Sequence, residues 1–150
     1  MCDHCGCREY PPIAELTAEH EAILALAEPL ADAIRHQRPV NEPDRARLVE
    51  LLDLHVTKEE AGLYPLLIAV TGDAADTFAH LEAEHAELFA ALEQRSFDHL
   101  ALYALQRHIE EEEEVLFNAA LFRFDGDAWD DLESAHRHVE QTLTVVSRGM

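Results

Sequence analysis

Six side chains of the kind that hold metal ions recur at matched spacing in this 150-residue chain. His55 and Glu59 stand four positions apart, as do His108 and Glu112, while His20 and His85 each stand singly in an apolar setting. Four positions is about one helical turn, so each His-x-x-x-Glu pair points two ligand-type groups the same way. That direction is inward. His55 follows Leu51 and Leu52 and Glu59 precedes Leu63; His108 follows Ala104 and Leu105 and Glu112 precedes Val115 and Leu116. His20 is flanked at helical offsets by Leu16, Ile23 and Leu24, and His85 by Leu81, Leu88 and Phe89. A buried carboxylate without a partner costs several kcal/mol, so four imidazoles and two carboxylates converging in a core need something that satisfies them together. Metal ions do so. Imidazole with carboxylate and no sulfur suits iron, manganese or zinc, and two carboxylates shared between two ions suit a dinuclear site.

A lone histidine on an apolar face is ordinarily a hydrogen-bonded core residue, and an internal repeat is what argues otherwise here. Leu52, His55, Val56, Glu59, Glu60, Leu63 and Tyr64 align without gaps on Leu105, His108, Ile109, Glu112, Glu113, Leu116 and Phe117. Leu16, Ala18, Glu19, His20, Ile23, Leu24 and Ala25 align on Leu81, Ala83, Glu84, His85, Leu88, Phe89 and Ala90. The chain thus contains two helix pairs related by an approximate twofold, each pair supplying one single His and one His-x-x-x-Glu. The repeat also chooses within the acidic run Glu110 to Glu114, most of which must be a solvated helix face. Lys58, Glu59 and Glu60 correspond to Glu111, Glu112 and Glu113, and a lysine is implausible as a buried ligand, so Glu112 is the member expected inside. His80 lies about 140° round the helix from His85 and is expected to be exposed. His36, His99, His136 and His138 lack both the repeat and the apolar setting and are expected at the surface. Tyr64 and Phe117 match each other, but five residues beyond the Glu they should point off the site, into helix-to-helix packing, with no catalytic part.

The elements that position these groups are helical. Only five Gly and six Pro occur, and the segments between them carry apolar residues at three- and four-residue spacing. A first helix is expected from near Thr17 to about Gln37, with Pro29 as a kink; a second from an Asn41 cap to about Val70, bent late by Pro65; a third over roughly Asp73 to Gln94. A fourth runs from about Asp98, capped by Ser96, to Ala120, and a fifth helical stretch begins at Trp129 and docks outside the others. Short loops imply antiparallel neighbours. The predicted class is all-α, with a Cys/His-rich tail over residues 1–12 and the helical domain over 13–150.

The formal net charge of −20 repels phosphate backbones and anionic lipid heads, which excludes nucleic acid and membranes as expected partners. No stretch approaches the roughly 18 apolar residues of a spanning helix, and the first residues carry no apolar block of a secretory signal, so a cytoplasmic location is expected. All three Cys fall within the first seven residues, so no disulfide framework holds the fold. Cys2, His4, Cys5 and Cys7 form a second candidate site, for a soft metal or for thiol–disulfide cycling through the C-x-x-C pair Cys2 and Cys5, the alternative being a disordered end with nothing attached.

The segments LTAEHEAIL, HVTKEEAGLYPLL, LEAEHAELF and HIEEEEEVLF together resemble the ligand-bearing segments of the hemerythrin-like, His-His-Glu cation-binding family, over roughly Leu16 to Ala120. The resemblance implies an antiparallel up-down-up-down four-helix bundle, here with an additional C-terminal helix and a short Cys-rich N-terminal tail. It further implies a non-haem di-iron centre, oxo- or hydroxo-bridged, with zinc or manganese as alternative metals. His20, His55, His85 and His108 would be terminal ligands and Glu59 and Glu112 the bridges. The third helix departs from the oxygen carriers, having Leu81 where they have a second His. The ligand set is similar to that of iron-sensing members and of members that repair damaged iron centres under nitrosative stress. An apolar surround from Leu24, Leu63, Phe89 and Leu116 would favour small uncharged ligands. The function expected is therefore binding or sensing of oxygen, nitric oxide, peroxide or iron in oxidative or nitrosative stress. The alternative is an oxidoreductase that decomposes peroxide, or an iron donor for damaged iron–sulfur centres, with the Cys tail passing electrons or metal.

Overall fold

The computed structural model describes residues 10–73 and 75–148, and the described residues form helices joined by short turns, with no strand among them. Helix α1 (Pro11–Arg35) opens at Pro11, earlier than the expected Thr17. Prolines in a first turn lose no hydrogen bond and bring a preset φ, so Pro11 and Pro12 start the helix instead of blocking it. The helix runs on through Pro29, which lies on its exposed side.

The second rod comprises α2 (Glu42–Lys58), a π turn over Glu59–Leu63, and α3 (Tyr64–Thr71). Asn41 caps it by accepting from the Asp44 N–H at 3.2 Å, and Gly72 ends it at a φ of 75°, a left-handed conformation open to glycine. A 3-10 turn (Ala75–Phe78) leads into α4 (Ala79–Glu93). The fourth rod repeats the plan of the second: α5 (His99–Glu111), a π turn over Glu112–Leu116, and α6 (Phe117–Arg123). Its cap is Asp98, which accepts from the N–H groups of Leu100 and Ala101 at 3.0 and 3.1 Å, and not Ser96, whose hydroxyl turns back to the Ala91 carbonyl.

Helix α1 packs on α2, α5 and the last helix, α7 (Gly126–Arg148); α4 packs on α2 and α5, and α3 on α6. Two apolar clusters fill the interior. One gathers Ile13, Leu63, Leu67, Leu116, Phe117 and Leu132, the other Ile23, Ala27, Leu48, Leu52, Leu92 and Leu105. Along α1 the first cluster ends at Leu16 and the second begins at Ile23, and the buried His20 lies between them. A polar layer therefore interrupts a hydrocarbon core, which is costly unless the layer satisfies itself.

Helix α7 lies against α1, α2 and the Glu59–Leu63 turn. Its approach is close at Gly62, where an added Cβ would stand 3.3 Å from both Ala135 Cβ and Leu132 Cδ1. Trp129 stacks on Tyr10 at 4.9 Å and ties the start of α7 to the start of α1. No helix among the described residues is long and apolar enough to cross a membrane.

Candidate metal centre

Each π turn begins at a glutamate of the His-x-x-x-Glu pairs. The Tyr64 N–H reaches the Glu59 carbonyl and the Phe117 N–H the Glu112 carbonyl, five residues back in both cases. One extra residue per turn carries the following side chain round toward the glutamate, a device common at functional sites. His55, Glu59, His108 and Glu112 thereby face the interior with His20 of α1 and His85 of α4, and all six are at most 4% exposed.

Their ligand atoms form two groups: His20, His55, Glu59 and Glu112, and Glu59, His85, His108 and Glu112. Within each group the atoms lie within 4.8 Å of one another, and the two carboxylates belong to both. His20 Nε2, His55 Nε2, Glu59 Oε1 and Glu112 Oε1 are buried without any hydrogen-bond partner. His55 Nε2 and Glu59 Oε1 are 2.5 Å apart, a close contact of ligand-type atoms without hydrogen-bond alignment. On the other side His85 Nε2 and His108 Nε2 are 2.9 Å apart. A carboxylate only accepts, so the Nδ1 atoms that contact Glu60 and Glu84 carry the ring protons, and in the neutral imidazoles the two Nε2 atoms face each other as bare lone pairs. A cation between such atoms removes the repulsion. The donor set, imidazole and carboxylate without sulfur, fits iron, manganese or zinc.

Each imidazole is oriented by an outer carboxylate at its Nδ1: His20 by Glu113 at 2.9 Å, His55 by Glu19 at 2.8 Å, His85 by Glu60 at 3.1 Å and His108 by Glu84 at 2.7 Å. Such partners fix the tautomer and leave Nε2 free to bind metal. The arrangement obeys the sequence repeat, since Glu19 matches Glu84 and Glu60 matches Glu113. Burial opposes charge on His55, but the carboxylates of Glu59 and Glu19 outweigh it and raise its pKa to about 9. Burial would raise Glu59, yet the His55 charge and contact pull it down to about 2. For His20 and His108 burial prevails over Glu113 and Glu84, and their pKa values fall below the usual imidazole range.

A family model, the hemerythrin HHE cation binding domain, matches residues 11–119. The chain belongs to that family. No curated protein and no solved structure matches the chain significantly.

Several expectations for this HHE domain need correction. Tyr64 does not point off the site: the π turn swings it inward, and its hydroxyl lies 3.0 Å from Glu112 Oε2 and 3.3 Å from Glu59 Oε2. Burial and the charge of Glu59 push its pKa up, so it stays a phenol and a donor. Phe117 stacks on the His20 ring, with centroids 5.6 Å apart and planes 5° apart. His136 is not a surface residue but lies on the buried face of α7, with its Nδ1 3.3 Å from Glu15 of α1. Lys58 is buried too, not as a ligand but as the ammonium shared by Glu15, Glu19 at 2.5 Å and Glu140 at 2.8 Å. His80 is exposed as expected and contacts Glu111 at 3.1 Å, and His36, His99 and His138 are exposed.

The small cavity at the centre is walled by Ile23, Leu52, Val56, Leu88, Leu105 and Ile109. Leu63 and Leu116 lie in the adjoining cluster, and Leu24 and Phe89 are only half-buried at its edge. Cys2, His4, Cys5 and Cys7 lie outside the described residues. Helical periodicity singles out neither Tyr64 nor the outer carboxylates; the sequence signal for the carboxylates is the repeat that pairs Glu19 with Glu84 and Glu60 with Glu113.

Proposed function

We propose that this protein is a non-haem di-iron protein of up-down-up-down four-helix architecture. One ion would be held by His20, His55, Glu59 and Glu112, and the other by Glu59, His85, His108 and Glu112. The protein would bind or sense a small uncharged ligand (dioxygen, nitric oxide or peroxide) or iron itself, in the handling of oxidative or nitrosative stress. The observation that carries this reading is the convergence of six buried ligand residues into two groups that share both carboxylates, with four of the ligand atoms lacking any hydrogen-bond partner. Four protein ligands per ion leave coordination positions for an external molecule on a metal that prefers six, and the apolar wall of the cavity favours a small uncharged one. When bound, a di-iron pair supplies ligand binding and one- or two-electron chemistry; the chain supplies orientation of the imidazoles, a phenol donor at the carboxylates and exclusion of water.

Metal analysis with an absorption spectrum of the purified protein tests the proposal. Two irons per chain and near-ultraviolet absorption of a bridged pair are expected, and a colourless protein with two zinc ions, or one without metal, would sink it. A second reading draws on the groove between α4 and α5, of about 650 Å³, which reaches His108 from solvent. Through it peroxide would reach the pair and be disproportionated to water and dioxygen. Catalytic peroxide loss by the iron-loaded protein, with one dioxygen evolved for every two peroxides consumed, would favour that reading over sensing.

A further inference from the structure

The repeat makes the inner six residues symmetric, and what surrounds them breaks the symmetry. In the first half, the carboxylate that orients His55 is itself gripped: Glu19 contacts Lys58 at 2.5 Å, and Lys58 is held in turn by Glu15 and, from α7, by Glu140 at 2.8 Å. Lys58 is 1% exposed beneath the last helix, while Glu15 and Glu140, at 34% and 47%, form the outer side of the clamp. In the second half the position of Lys58 is taken by Glu111 and that of Glu15 by His80. These two contact each other at the surface, 40% and 54% exposed, and no lysine reaches Glu84 among the described residues. Glu84 instead lines the open groove with Glu87, Glu111 and Arg107, and the groove's floor is His108.

The outer carboxylates record the difference. Glu19 and Glu113, which orient His55 and His20, are 14% and 18% exposed. Glu60 and Glu84, which orient His85 and His108, are 38% and 39% exposed. A solvated carboxylate shares its acceptor capacity with water and holds its imidazole less firmly, and outer-sphere partners of this kind tune metal affinity by about 10- to 100-fold.

We propose that the two cation positions are inequivalent: the ion between His20 and His55 is locked by Lys58 and α7, and the ion between His85 and His108 exchanges through the groove between α4 and α5. This rests on the two-ion reading of the site. It assigns Lys58 and Glu140 as positioning residues, acting on the metal through Glu19 and His55, and gives α7, which lies beyond the family match, a part in metal retention.

The test is metal release from the full chain loaded with two equivalents of Co2+, whose visible bands report each ion, after mixing with excess EDTA. Two phases of equal amplitude are expected, the fast one at least about tenfold faster than the slow. Lys58→Met should accelerate the slow phase and leave the fast one unchanged. The double variant His80→Glu, Glu111→Lys, which writes the first half's residues onto the exposed second half, should slow the fast phase toward the slow one. A single phase in the wild-type protein overturns the proposal, as does an anomalous-scattering map of the one-equivalent form with its ion between His85 and His108. If Lys58→Met does not fold, the wild-type amplitudes and the surface double variant still decide. A protein that takes up no Co2+ would instead refute the two-ion reading itself.

Discussion

The Tyr64 hydroxyl stands 3.0 Å from Glu112 Oε2, linking the second and fourth rods across the centre of the molecule. Its counterpart in the repeat, Phe117, has no hydroxyl to offer, so a single phenol serves both buried carboxylates. Tyr64→Phe removes that donor while keeping the ring and its stacking beside His85. In metal-free protein the change should cost about 1.5–3 kcal/mol, the range for a hydrogen bond to a charged group. With metal present the carboxylates have another partner and the cost should be smaller. Urea unfolding of both proteins, with and without two equivalents of metal, measures the difference; equal losses in both states would contradict the placement.

The His55 proton gives the metal-free protein a pH signature. The unfolded imidazole titrates near 6.5 and the folded one near 9, so between these values the folded state binds more protons than the unfolded. Stability from this group is therefore fully present below 6.5 and is lost as pH rises through 9, by up to about 3 kcal/mol. His55→Gln should flatten the decline over that window. Because a metal needs the bare Nε2, ion binding at neutral pH should also release a proton, detectable with an indicator dye in weak buffer.

The docking of α7 depends on Gly62, whose counterpart in the repeat is Val115, 58% exposed on the uncovered side. Gly62→Val places in the first half what the second half tolerates. There it meets Ala135 and Leu132, and overpacking of this kind costs about 1–3 kcal/mol. Trp129, the only tryptophan, lies in the first turns of α7 and stacks on Tyr10, so its emission should shift to the red as the helix lifts. An unchanged spectrum and midpoint would show that α7 yields without strain.

The residues that proved legible from sequence are those whose burial follows helical periodicity. His20, His55, His85, His108, Glu59 and Glu112 sit in apolar stripes, and a gapless repeat pairs them, so their convergence could be read before any coordinates. Tyr64 could not, because its direction depends on a π turn, and angles computed for a regular α-helix put it about 140° away. Lys58 and His136 were missed for another reason. Lys58 is paired with Glu15 of α1 and Glu140 of α7, and His136 of α7 turns inward to Glu15, contacts between distant segments that leave no periodic trace. Ser96 and Asp98 are both good capping types, and only the backbone shows that Asp98 accepts from Leu100 and Ala101.

The opposed lone pairs of His85 and His108 predict a trade of stability against metal binding. With no cation between them and both rings neutral, two Nε2 atoms 2.9 Å apart repel inside an apolar shell that includes Leu88 and Leu105. His85→Leu replaces one of them with a hydrocarbon side chain of similar size. Glu60, which loses its imidazole partner, is 38% exposed and regains water. The metal-free variant should therefore be as stable as the wild type or more so, by about 1–2 kcal/mol, since substitutions that relieve a buried polar conflict at a functional site commonly give gains of that size. The same variant should bind one ion fewer and lose the stabilisation that saturating metal gives, about 2.7 kcal/mol at a hundredfold excess over Kd. Calorimetric metal titration and thermal melts of the two proteins check both halves. A variant that keeps two ions, or whose metal-free form melts far below the wild type, would show that the pair is an ordinary core contact.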